Sequence, residues 1–99
     1  MEQVQLLSNF FASISDDARV TAYHISVYAA LLFYWQAHGG GEKAFSLFSR
    51  DLLPFAKLSR PGTYHRIMKD LADFGYIQYV PSHSPVLGSL VQLIKMDVL

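Results

Sequence analysis

Between Ser59 and Ile77 a helix start signal, a helical period and a helix stop signal agree, and that agreement restricts what the rest of the chain can build around. Ser59 is placed as an N-cap whose hydroxyl accepts from a first-turn amide, and Pro61 lies within that turn, where a missing N–H breaks no helical bond. At about 100° per residue, Tyr64, Ile67, Met68, Leu71 and Phe74 fall on one side, whereas Gly62, His65, Arg66, Lys69 and Asp73 fall on the other. One face packs and the other looks outward. Gly75 suits the left-handed conformation that closes a helix, with Tyr76 placed to pack back on Leu71 and a strand able to follow at once.

Upstream, Ser49 to Leu58 gives a second capped start, with Asp51 in the first turn and an apolar series at Leu52, Leu53, Phe55, Ala56 and Leu58. The two segments form a helix-turn-helix pattern. Downstream, Tyr76 to Val80 and Ser89 to Ile94 are rich in β-branched, aromatic and aliphatic residues and flank the turn-forming residues 81–88. They predict a hairpin with a long tip.

Nearer the N-terminus, Val4, Leu7, Phe11 and Ile14 recur at helical spacing and predict a first helix from Glu2 to about Ser13; Ser15-Asp16-Asp17 then breaks the pattern. Thr21 can cap a second helix that runs through Trp35 and stops at Gly39-Gly40-Gly41. This helix is apolar nearly all round and must be covered on every side. The first helix can cover it, and so can a second copy of the chain. Hydrophobic residues make up 52% of the sequence without glycine, whereas typical domains reach about 45–50% with glycine counted. That excess predicts a homodimer through the N-terminal helices, with Leu7, Phe11, Tyr28, Leu32 and Trp35 at the contact. The length of 99 residues fits one domain, with residues 1–40 as N-terminal helices and residues 44–94 as the motif.

These features resemble the winged helix-turn-helix domains of bacterial transcription regulators. The likeness is carried by an apolar strand from Phe45 to Phe48, a short helix, and Leu58-Ser59 leading into Thr63-Tyr64-His65-Arg66. It continues through Leu71-Ala72-Asp73-Phe74-Gly75-Tyr76-Ile77 and the hairpin, or wing. The chain looks most like small stand-alone winged-helix proteins of bacterial mobile elements, which also carry an aromatic-rich helix before the motif, here Tyr23 to Trp35. The resemblance implies a mainly α fold with a small antiparallel β-hairpin (α+β), in which a winged helix-turn-helix is preceded by two N-terminal helices. Pro54 departs from the pattern: in a helix beginning at Arg50 it lies past the first turn and costs about 3 kcal/mol unless the helix bends. The first motif helix is therefore expected to be short or kinked.

The overall charge counts against a nucleic-acid partner, and its distribution partly restores one. The formal net charge is +0, whereas a dedicated nucleic-acid binder is usually basic. Its distribution is uneven, however, because Lys57, Arg60, Arg66 and Lys69 form a run of cations without an intervening acid. Within the winged-helix framework the second motif helix enters the major groove of double-stranded DNA, which nominates Lys57, Ser59, Arg60, Thr63, His65, Arg66 and Lys69 as DNA-binding residues. Ser82 and His83 at the hairpin tip are nominated for phosphate or the minor groove. The same outward residues would suit an ordinary solvated helix face, and the alternative function is a winged-helix protein–protein interaction module without DNA binding.

Other classes find little support. The four histidines lack ligand spacing and no cysteine joins them, so no metal site is expected. No nucleophile elbow or glycine-rich phosphate loop appears, so neither an enzyme nor a cofactor is expected. The apolar stretch from Ala22 to Trp35 is shorter than the ~18 residues of a spanning helix, so no membrane association is expected. The absence of cysteine and of an export signal points to the cytoplasm. No effector ligand is named by the sequence.

Overall fold

A computed structural model of the chain describes residues 2–82, 84 and 86–95. The elements in order are α1 (Glu2–Ile14), α2 (Ala22–Ala37), β1 (Phe45–Leu47), α3 (Ser49–Ala56), α4 (Pro61–Asp73), β2 (Ile77–Val80) and β3 (Ser89–Leu93). The fold is mixed α+β, with four helices and one antiparallel sheet of three strands in the order β1-β3-β2. Val91, at the centre of the sheet, lies opposite Phe45 on one side and Tyr79 on the other. No helix among the described residues is long and apolar enough to cross a membrane.

The core is organised on α2. Thr21 begins it, as the capping residue predicts, but the residue that answers at the third helical position is His24: its Nδ1 accepts the Thr21 backbone N–H at 2.8 Å. At the other end all three glycines of the 39–41 turn adopt positive φ, and the Trp35 indole N–H donates to the Gly41 carbonyl at 2.9 Å, folding the turn back on the helix. The hydroxyl of Ser26 donates to the Ala56 carbonyl, which would otherwise be an orphan at the end of α3.

Most of the residues expected to meet a second copy lie inside this one. Tyr28, Leu32 and Trp35 are buried, with the Tyr28 ring stacked on Phe10 of α1 at 3.8 Å. Leu7 is partly buried against the same core, and Phe11 alone of the five remains well exposed. The correction has a simple cause. Helix α1 covers one flank of α2 while α3 and α4 pack against it as well, so a single chain supplies the cover that the apolar helix requires.

Two helix starts fall one residue away from the expected place. Phe48, not Ser49, precedes α3, and Arg60, not Ser59, precedes α4, neither making a side-chain cap bond. Pro61 is thereby the first residue of α4, where its fixed φ and missing N–H suit the helix start and make a hydroxyl cap less important. Helix α3 carries Pro54 inside it and is short, at 8 residues, as the proline predicts. It ends on Lys57, held left-handed at φ 60°. The exit of α4 follows the sequence signal closely: Tyr76 N–H bonds to the Leu71 carbonyl at 2.9 Å and Gly75 N–H to that of Ala72 at 3.1 Å, a Schellman closure.

A second tie fastens this exit to the α1–α2 connector. The Tyr76 hydroxyl donates to Asp17 at 2.6 Å, and Arg19 grips the same carboxylate with Nε at 2.8 Å and Nη2 at 2.9 Å while lying over the Phe74 ring.

Candidate nucleic-acid interface

The buried side of α4 is Tyr64, Ile67, Met68 and Leu71, which fixes the outward side as His65, Arg66, Lys69 and Asp73. On each flank of that outward ridge the surface is hollowed. One cleft, of ≈ 350 Å³, is lined by Lys57, Ser59, Arg60, Thr63 and Arg66, together with Tyr23 of α2. The other, of ≈ 610 Å³, separates α4 from the hairpin and is lined by His65, Lys69 and Asp73 on one wall and by Tyr79 and Ser82 on the other.

Every described residue nominated for DNA therefore lines one of the two clefts. Lys57, Arg60 and Arg66 converge although eight residues of chain separate the first from the last, because the left-handed turn at Lys57 brings the end of α3 against the start of α4. Lys57 and Arg60 make no ion pair among the described residues. At the start of α4 Pro61 carries no N–H and the Tyr64 amide bonds to Arg60, which leaves the amides of Gly62 and Thr63 without an intrahelical carbonyl and the local field favouring an anion.

The cationic run is less uniform than the sequence suggests. Asp70 and Asp73 follow one helical turn after Arg66 and Lys69, and they pair with them at 3.8 Å and 3.3 Å. Both cations are exposed although Asp70 is half-buried, and both pairs are weak, so an incoming phosphate can compete for either cation. Asp70 has a second partner from the interior: His24 Nε2 lies 3.0 Å from it. Because His24 Nδ1 accepts from a backbone N–H, Nε2 is the nitrogen that carries the proton and donates to Asp70. Beneath the ridge, burial pushes the Tyr64 phenol well above its ordinary value, with Tyr79 adding to the shift.

At the hairpin tip the serine hydroxyls already serve the turn itself. Ser82 Oγ accepts the Ser84 N–H at 3.2 Å and Ser84 Oγ accepts from Val86 and Leu87, so these hydroxyls brace the turn from within. His83 lies outside the described residues. Among the described residues of the tip and the adjoining strand ends, Val80, Val86, Leu87 and Leu90 are exposed apolar side chains.

Three contributors escaped the sequence reading. Tyr23 joins the first cleft only because α2 crosses beside the α3–α4 turn, and no local signal announces it. His24 could have been found three positions after Thr21, where a capping box places a side chain able to reach back. Asp70 could have been found from its four-residue spacing to Arg66. Comparison of the chain with protein-family models, with curated proteins and with solved structures finds no match.

Proposed function

We propose that this chain is a winged helix-turn-helix protein that binds double-stranded DNA in the cytoplasm and reads its sequence as a transcriptional regulator. One observation carries the reading: α4 stands as a ridge between two clefts that hold all of its exposed cations. A helix ridge of this kind fits the major groove, about 12 Å wide, with a strand backbone running along each flank. On this reading Arg66 and Thr63 meet base edges, whereas Lys57, Arg60 and Lys69 hold phosphates. The element order supports the same assignment, with β2 and β3 as the wing behind α4. Selection of bound duplexes from random DNA by the purified protein tests it: an enriched motif that is no longer retained by Arg66→Ala is the expected result. Equal retention of all sequences at moderate salt would remove the sequence-reading role.

The apolar tip at Val80, Val86, Leu87 and Leu90 favours a second reading, in which the hairpin meets a partner protein. Replacing Val86 and Leu87 by serine separates the two. DNA affinity survives this change if α4 is the interface, and a protein contact through the tip does not.

A further inference from the structure

Away from α4, the space between α1, the end of α2 and the β2–β3 pair forms a slot of ≈ 640 Å³, within the size range of small-molecule sites. It shares no lining residue with either cleft beside α4. Buried Leu6 and Trp35, with Leu93, make one side of it apolar. The indole N–H of Trp35 is already given to Gly41, so the ring offers the slot its carbon framework rather than a donor.

The uncharged polar side chains are of one kind. Gln5 and Asn9 come from α1, and Gln78 and Gln92 stand opposite one another on β2 and β3. Internal bonds already orient three of these carboxamides: Gln5 donates to Asn9 at 2.7 Å and Gln92 to the Glu42 carbonyl at 2.8 Å. A carboxamide carries a donor and an acceptor side by side, the complement of a heterocycle edge that carries the same pair, and Gln92 keeps its oxygen and its second amide hydrogen after the bond to Glu42. The charges among the lining residues are Glu42 and Lys95, one of each sign, so the slot has no net charge with which to select an ion.

We propose that this slot binds a neutral, flat heterocycle of the nucleobase kind, laid against Trp35 and Leu6 with its edge read by Gln78 and Gln92. The free base is the ligand rather than a nucleotide or a strand, because the lining holds no excess cation for phosphate. The proposal stands independently of DNA binding at α4.

Trp35 is the one tryptophan of the chain, so its emission reports the slot directly. The full chain is titrated with adenine, cytosine and uracil, and separately with adenosine monophosphate and a short single-stranded oligonucleotide. At least one free base is expected to change the emission saturably, with a dissociation constant at or below about 1 mM. Gln78→Leu, at an exposed position that the fold does not depend on, and the Gln78→Leu/Gln92→Leu pair should weaken it, the pair by about tenfold, with far-ultraviolet dichroism unchanged. No saturable change with any base in folded protein overturns the proposal. So does an equal response in both variants, or tighter binding of the monophosphate or the oligonucleotide than of the free base.

Discussion

Arg66 sits at the crest of α4 with most of its side chain in solvent, at 60% exposure, and its one ion pair among the described residues is the 3.8 Å contact to Asp70. Truncation should therefore leave the core intact while removing the base contact proposed for this residue. Arg66→Ala is expected to weaken binding to a selected site by about 1–3 kcal/mol, read by titration beside a thermal melt. Unchanged affinity with an unchanged melt would take Arg66 out of the interface. Asp17 makes a different kind of prediction, one of acid stability. Its carboxyl is held well below the usual carboxylate range, first by the Arg19 side chain and then by the Tyr76 hydroxyl, with burial acting in the opposite direction. A carboxyl depressed in the folded state contributes fully above its unfolded value of about 3.9 and loses that contribution as pH falls towards the folded value. The parent should thus lose stability more steeply below about pH 4 than Asp17→Asn does. Parallel acid denaturation curves would show that the tie between the connector and the α4 exit is energetically idle.

At the scale of the elements, the turn between α3 and α4 joins backbone strain to function. Lys57 is the one described non-glycine residue with positive φ, and left-handed backbone costs an ordinary side chain about 1–2 kcal/mol. Glycine removes that strain, and with it the cation. Lys57→Gly is expected to melt at or above the parent temperature while its DNA affinity falls and becomes less sensitive to salt. Lys57→Ala keeps the strain and should share only the loss of affinity. If both variants bind as the parent does, the cleft is not a phosphate seat. The same elements show what the sequence could and could not disclose. Local signals succeeded where one stretch settles its own conformation: the face of α4, its glycine closure, the short α3 and the hairpin strands. The cap of α4 slipped by one because proline at the first helical position relieves the demand for a hydroxyl cap. The strand Phe45–Leu47 was visible, but its place beside β3 was not, since pairing between residues so distant in sequence leaves no periodic trace. Tyr23 and the interior grip of His24 on Asp70 depend likewise on how α2 crosses the motif.

For the molecule as a whole, the burial of Tyr28, Leu32 and Trp35 within one chain removes the need for a partner to hide α2. Light scattering in dilute solution is expected to give the single-chain mass of 11.2 kDa. A doubled mass would mean that the remaining exposed rings, Phe11 on α1 or the Phe33–Phe55 pair at 4.8 Å, bring two copies together. Stoichiometry has an electrostatic counterpart. One chain offers Lys57, Arg60, Arg66 and Lys69, so the logarithm of its DNA affinity should fall with that of salt concentration with a slope of roughly −3 to −4, and a pair of chains would double it.

Sheet order has a consequence for synthesis. The central strand, β3, is the last of the described elements to leave the ribosome, and the two strands made before it have no hydrogen-bonded contact with each other. Until Ser89–Leu93 emerges, Phe45–Leu47 and Ile77–Val80 each wait without a neighbour, while the helices between and before them can already form. A stop codon ahead of Ser89 would thus release a chain with its helical sequences complete and no sheet at all, its two waiting strands open to pairing with other chains.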